Sequence, residues 1–315
     1  MKIILDKIEK AETICVFRHQ SPDPDALGSQ WGLVNWIKEI YPNKHVFAMG
    51  WQRGQSANLF GVYETVSDDV VKSSLAIILD TANKARIDDD RFELAFDSIK
   101  IDHHPFTDQY AHYEYIDDTA ASTSELVCQL IRTKSEQTLS TQTATYLYMG
   151  ILTDTLRFST QSTSASTLHN AAFLVNSHLN LNKINDDLFG MEPNEFLFSN
   201  YIRHHAIIED DGLVYIKLDQ PTLKKLNITA GQAKEKVNEL GLVRSFKIWA
   251  LFIEQEEDGS VHYNGSIRSR NLTVNDIAKR YNGGGHRLAA AVKNLNEQTL
   301  DACINELRLR IKGEL

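Results

Sequence analysis

The chain has 315 residues, 42% of them apolar, with 33 basic and 42 acidic side chains and a formal charge of −9. That size suits one large domain or two ordinary ones with a sizeable core. The acidic balance argues against a long polyanion-binding surface, which usually shows a basic stripe, but leaves room for a short phosphorylated ligand held by a few arginines.

No apolar run approaches the ~20 residues that span a bilayer. Charges interrupt the N-terminal "MKIILDKIEKAE", so no signal peptide and a cytoplasmic location are expected. In the first half, strand candidates fall at 13–17 ("TICVF"), 45–49, 75–79 ("LAIIL") and 98–101. Amphipathic helical patterns fall at 26–40, 122–133, 141–152 and 164–179. Ser122 and Glu125 have capping-box spacing at the start of one of them. Short apolar strands alternating with longer helices predict an α/β fold with a mostly parallel, doubly wound N-terminal sheet. After about residue 180 the pattern changes. A polar, mixed stretch is followed by strand-like runs at 213–218, 246–253 and 261–267 and by helices near 230–240, 274–281 and 297–311. The expected organisation is a domain over 1–182, a connector over 183–208 and a smaller α+β C-terminal domain over 209–315. Cys15, Cys128 and Cys303 are widely spaced in apolar runs, which fits buried reduced thiols rather than a disulfide framework.

Polar residues follow each first-half strand. After 13–17, "RHQSPDPDALGS" carries His19, Asp23 and Asp25; Asp80 follows 75–79; Asp102, His103 and His104 follow 98–101; Asp154 lies in "GILTDTLRF" after an apolar helix. Open α/β sheets bind ligands beyond the carboxyl ends of their strands, so these segments should converge. Asp23, Asp25, Asp80 and Asp154 would then repel one another unless cations intervene, and two divalent ions would cancel their charge. Mixed carboxylate and imidazole ligands suit Mn²⁺, Fe²⁺, Zn²⁺ or Co²⁺. Such a pair of ions supports in-line displacement at phosphorus by a bridging hydroxide. In the second half, Gly283, Gly284 and Gly285 allow close backbone approach to an anion, with His286 and Arg287 next to them. Arg268, Ser269 and Arg270 end a strand candidate, and arginine forks match phosphate oxygens.

"HQSPDPDALGS", the "ILD" ending at Asp80, "DHH" and "GILTDT" resemble the four motifs of the DHH phosphoesterases. "YNGGGHRLAAA" (281–291) resembles the Gly-Gly-Gly-His signature of the DHH-associated substrate domain. The resemblance implies one metal held by His19, Asp23 and Asp80 and another by Asp25, Asp80, His103 and Asp154, with Asp80 bridging. It implies that Asp102 orients a ligand or water and that His104 faces the substrate phosphate, both as catalytic residues. Arg268, Ser269, Gly283, Gly284, Gly285 and His286 would contact substrate. Two divalent ions, foremost Mn²⁺, are the implied cofactors. The two-domain layout resembles the bifunctional oligoribonuclease and 3′-phosphoadenosine-5′-phosphate (pAp) phosphatase group. Very short RNA, pAp or both are the implied substrates, with no membrane partner and no long nucleic-acid track. The number of chains that associate is left open.

Small departures accompany the resemblance: Leu156 stands where many relatives carry glycine, and Leu288 and Ala291 where a polar residue and glycine are common. Competing readings are a soluble phosphodiesterase of cyclic or linear dinucleotides and a non-catalytic nucleotide-binding module. The latter predicts a lost metal ligand, and none is lost. Two further clusters read as structural: "RHH" at 203–205 as a connector helix, and "DDD" at 88–90 as a solvated loop.

Overall fold

The computed structural model describes residues 1–257 and 259–315 and divides into two units, Met1–Gly190 and Met191–Leu315. The first unit runs α1 (Lys2–Lys10), β1 (Thr13–Phe17), α2 (Pro24–Ile40), β2 (His45–Ala48), α3 (Asp68–Lys72), β3 (Leu75–Leu79), β4 (Asp97–Asp102), β5 (Tyr113–Ile116), α4 (Thr123–Lys134), α5 (Thr141–Asp154), α6 (Ala165–Val175) and α7 (Leu181–Phe189). Its five strands are all parallel, in the order β2-β1-β3-β4-β5. The expected parallel architecture is thus present. The strand order reverses between β1 and β3, which creates the crevice where such sheets bind ligands.

The apolar runs of β1 and β3 are continuous because both sheet faces are covered. Ile14, Val16, Leu75, Ile77 and Leu79 join the core built with α1, α2, α4 and α5. Cys15, Phe17, Ala76 and Ile78 point the other way, against Val71, Ile87 and Phe92. All three cysteines are free and buried. Helix α1 was not anticipated, although it buries Ile4, Leu5 and Ile8 at helical spacing. Strand β5 was also missed: "YEYI" is short and only half-buried at the sheet edge.

The second unit runs α8 (Pro193–His205), β6 (Ile207–Ile208), β7 (Leu213–Leu218), α9 (Gln220–Lys225), α10 (Ala230–Glu235), β8 (Ile248–Glu257), β9 (Ser260–Ser269), α11 (Asn275–Arg280), β10 (Gly284–His286), β11 (Ala289–Leu295) and α12 (Glu297–Lys312). Its mixed sheet has the order β10-β11-β9-β8-β7-β6, with β7 and β8 parallel and the other pairs antiparallel. One face packs on α11 and α12 through Phe252, Ile267, Ile277 and Leu300. Much of segment 183–208 is helical, with only Gly190–Glu192 between α7 and α8 lacking helix. Ile184 is buried in the first unit, and Phe198 and Ile202 in the second. "RHH" at 203–205 is the last turn of α8.

The "DDD" stretch requires a correction. Asp89 is buried, the Asp88 side chain is only 2% exposed, and only Asp90 is exposed. Asp88 accepts from the fully buried Arg18 guanidinium at 2.7 Å, and Asp89 pairs with Arg91 at 2.7 Å. A guanidinium inside the protein needs a desolvated counter-charge, and Asp88 supplies it.

Candidate metal centre

Each donor is placed by a definite local structure. Asp23 is the N-cap of α2, and its Oδ1 accepts from the Asp25 and Ala26 amides at 3.1 and 3.0 Å. Pro24 occupies the first helical turn, where a missing N–H costs nothing. The two carboxylates therefore diverge because Asp23 is extended while Asp25 is already helical. Extended backbone at Asp23 gives way to helix at Pro24. Asp80 follows β3 with φ 51°, a left-handed conformation that aspartate tolerates better than most residues. Its amide donates to Ile101 O at 3.1 Å. Asp154 is the last residue of α5.

The six expected metal donors, joined by His104, fall into groups whose ligand atoms lie within 4.8 Å of one another: His19 with Asp23 and Asp80, Asp25 with His103 and Asp154, and Asp80 with His103 and His104. Asp80 faces two ways. Its Oδ2 lies 3.3 Å from His19 Nε2, and its Oδ1 lies 3.5 Å from both His103 Nε2 and His104 Nδ1. His103 Nε2 also lies 3.4 Å from Asp154 and 4.0 Å from Asp25. The other ring nitrogen of His103 is 3.4 Å from Ala120 O, which leaves Nε2 free to act as a ligand. His104 Nδ1 lies 2.8 Å from Asp102 Oδ1.

Several contributors were not visible beforehand. The N-terminus of α4 turns toward Asp25: the Thr123 and Ser124 amides donate to its two oxygens at 2.8 and 2.9 Å. Thr123 Oγ1 donates to Asp80 at 3.2 Å. Ser122 caps α4 by accepting from the Glu125 amide at 3.0 Å, but the expected capping box is only half made. The Glu125 carboxylate reaches one residue further back, to Ala121 N. Gly150 makes room for this packing, since a Cβ there would collide with the Ser124 side chain and come within 2.8 Å of Asp25 Oδ1. Lys100, fully buried, donates to Ala82 O at 2.9 Å and lies 3.6 Å from Asp102. No short motif could signal these contacts, because the partners are up to 99 residues apart.

Electrostatics fit the donor set to cations. Burial and the neighbouring charges of Asp25, Asp23, Asp154 and Asp102 push the Asp80 carboxyl well above the usual range. Burial, with Asp25 and Asp23, pushes Asp154 up to about 9. Burial also raises Asp25, overcoming its hydrogen bonds and His103, and lowers His19 to about 4. Among the described residues, no lysine or arginine pairs with Asp23, Asp25, Asp80 or Asp154. Converging carboxylates and imidazoles with no positive partner are what a divalent-metal site requires. Asp102 differs: burial raises it, but His104 and Lys100 outweigh that and hold it below the usual value. The Asp102 hydrogen bond raises His104.

The profile of the DHH family N-terminal domain matches residues 13–151, and that of the DHHA1 domain matches 210–313. The chain is 35% identical to the probable bifunctional oligoribonuclease and PAP phosphatase NrnA of Streptococcus mutans, covering 99% of both chains. The chain belongs to the DHH family. It is also 32% identical to the Bacillus subtilis bifunctional oligoribonuclease and PAP phosphatase NrnA, over 98% of each. An exopolyphosphatase-related protein from Bacteroides fragilis shares the fold, with a TM-score of 0.81 at 21% identity over 99% of this chain and 97% of the other. The DHH chain is thus a metal-dependent phosphoesterase, a hydrolase of phosphoric ester bonds. No helix among its described residues is long and apolar enough to cross a membrane.

The remaining predicted residues of this DHH protein lie in the second unit. Arg268 on β9 is half-buried, donates to Ile267 O at 3.0 Å and has no carboxylate partner among the described residues; burial alone lowers its proton affinity. Ser269 donates its hydroxyl to Leu272 O, which commits it to a turn. A Cβ at Gly283 or Gly285 would collide with the β11 backbone, whereas Gly284 faces open space. Two of the three glycines are therefore demanded by the β10–β11 hairpin. His286 is exposed. Arg270 ties down carbonyls of Gly241, Val243 and Phe246, and Arg287 donates to Asn271 O.

Leu156, Arg157 and Phe158 follow Asp154 with φ of 45°, 59° and 62°. A left-handed L-residue costs roughly 1–2 kcal/mol, which glycine avoids at a smaller entropic loss. Leu156→Gly is expected to stabilise the protein by about 1 kcal/mol. Equilibrium urea unfolding checks this, and no gain would show that the turn stores no strain at Leu156.

Proposed function

We propose that the protein hydrolyses very short RNA oligonucleotides and the 3′-phosphate of pAp. The observation that carries this reading is the convergence of all six donors, His19, Asp23, Asp25, Asp80, His103 and Asp154, at one end of the sheet without a balancing lysine or arginine among the described residues. Full-length similarity to proteins named for these two activities supports the substrate class. Both substrates place a phosphate beside a 3′-ribose oxygen, so one centre serves both.

His19, Asp23 and Asp80 would hold one divalent ion, and Asp25, Asp80, His103 and Asp154 a second; we propose manganese. Bound there, such ions supply Lewis acidity and an activated water. The protein's own groups do the rest. The Thr123 and Ser124 amides hold Asp25 in one orientation. Asp102 orients His104 and strengthens its hold on a proton, and His104 delivers that proton toward the leaving oxygen. Arg268, with no acidic partner among the described residues, takes a phosphate oxygen, and the open backbone at Gly284 and the exposed His286 take the rest of the substrate. The cytoplasm, where RNA fragments arise, is the proposed compartment.

The test is a rate comparison with Mn²⁺ on a diribonucleotide, pAp, cyclic di-AMP and pyrophosphate. The expected order puts the diribonucleotide and pAp first; a dominant rate on cyclic di-AMP would replace this reading with the dinucleotide phosphodiesterase one. Arg268→Ala is expected to raise KM for the diribonucleotide about tenfold or more, since a charged hydrogen bond contributes ~1.5–3 kcal/mol. Mn²⁺ affinity should be unchanged by titration calorimetry. An unaltered KM would remove Arg268 from the substrate site.

A further inference from the structure

Of the four tryptophans, Trp31, Trp36 and Trp249 are buried, whereas Trp51 is 59% exposed. Trp51 lies just beyond the end of edge strand β2, which pairs with β1, the strand leading to His19. Its indole enters no aromatic or cation–π contact among the described residues. Yet its backbone is fixed on both sides. The Trp51 amide donates to Asp88 Oδ2 at 2.9 Å, and its carbonyl accepts from Arg18 Nη2 at 2.7 Å. The other arm of the same guanidinium donates to His19 O at 2.8 Å and to Asp88 at 2.7 Å. One buried cation therefore positions both a metal-donor residue and an exposed tryptophan.

Two more observations tie this loop to the centre. Gly54 approaches Pro22 closely enough that a Cβ would lie 2.8 Å from its carbonyl oxygen, so the loop rests on the segment between His19 and Asp23. Arg53, partly exposed, lies 3.2 Å from Asp88 and adds a cation two residues from Trp51. Trp51 also walls a groove of about 440 Å³ together with Val62, Tyr63 and Val66, a volume within the range of small-ligand pockets. A large flat apolar side chain, held in solvent on a rigid backbone, contributes nothing visible to the core. It has the properties of a base-stacking platform, and aromatic stacking contributes roughly 1–3 kcal/mol per base.

We propose that Trp51 stacks on a nucleobase of the short RNA substrate and thereby sets its affinity. The inference rests on the nucleotide reading above. It assigns to the first unit a contact that recognises the base, in addition to the groups that handle phosphate.

The test uses the full chain with the diribonucleotide ApA and its hydrolysis-resistant phosphorothioate form. For Trp51→Ala, KM for ApA should rise about tenfold, with the loss falling on KM rather than kcat; Trp51→Phe should recover most of it. Because the other three indoles are buried, the phosphorothioate should quench the exposed fluorescence of the wild type, and Trp51→Phe should abolish that quenching. Mn²⁺-induced thermal stabilisation of each variant reports that the fold and metal centre are intact. Wild-type hydrolysis of ApA with an unchanged KM in Trp51→Ala, or quenching that survives in Trp51→Phe, overturns the stacking role alone. A wild type that neither binds nor cleaves ApA overturns the nucleotide reading, and the stacking role with it.

Discussion

Asp80→Asn is expected to lower metal-dependent hydrolysis roughly a thousandfold or more, the loss of several kcal/mol of charge stabilisation that a metal pair provides. Among the described residues, Asp80 is the one carboxylate whose two oxygens face different histidines, His19 on one side and His103 with His104 on the other. Its loss therefore affects both groups of donors, whereas loss of Asp23 or Asp154 affects one. The same substitution should stabilise the metal-free protein at pH 8. The sign follows from the raised pKa values of Asp80, Asp25 and Asp154. Groups whose folded pKa lies above the unfolded value, about 4, hold protons that the unfolded chain has released. The metal-free fold therefore loses stability as pH rises from about 4 toward the value of about 9 at Asp154. Divalent ions take the place of those protons. Mn²⁺ should raise the melting temperature of the wild type more at pH 8 than at pH 5.5, and should have little effect on Asp80→Asn. Thermal unfolding with and without Mn²⁺ at both pH values checks all of this. An equal metal response in the variant would sink the bridging role.

Arg18→Leu is expected to destabilise the protein by about 3–5 kcal/mol, the usual result of breaking a buried pair and leaving one charge uncompensated. Arg18 is fully buried and donates to Asp88, His19 O, Trp51 O and Tyr63. Tyr63 in turn donates to Gln30, whose amide holds Val16 O and Met49 O at the end of β1 and just after β2. Removing the guanidinium leaves Asp88 with only the half-exposed Arg53 as a cationic partner among the described residues and strands two carbonyls at once. Replacing Asp88 as well removes that carboxylate, so Arg18→Leu/Asp88→Leu should lose less than the two single variants added together. Arg18→Lys should recover only part of the stability, because an ammonium cannot span acceptors on both arms of a planar fork. Urea unfolding of the four variants measures the coupling. Strict additivity would show that the pair acts independently.

The sheet and the metal donors were legible for a shared reason. β1 and β3 are buried on both faces, so they read as uninterrupted apolar runs, and the polar residues directly after them stand out. Where an element is half-buried or amphipathic among many charges, the signal fades. Helix α1 carries Lys2, Asp6, Lys7, Glu9 and Lys10 around three core residues, and strand β5 buries none of its four. Asp88 illustrates a different failure: nothing local separates a desolvated counter-ion from a surface aspartate. The glycine triplet was legible as a place of close approach, but not that β11 is the neighbour for two of the three.

By itself, the sequence determined the fold class, the strands that end at the crevice and which six candidate donors the fold would bring together. These depend on local patterns: uninterrupted apolar runs and the acidic and histidine residues that directly follow them. Only the tertiary structure decided how those donors are held. Asp25 depends on amides of α4, Asp80 on Thr123, and the His19 segment on a guanidinium shared with Asp88 and Trp51. Such partners lie tens of residues away, and chain spacing carries no information about them. Packing brings them together, and burial then makes each hydrogen bond and each uncompensated charge matter.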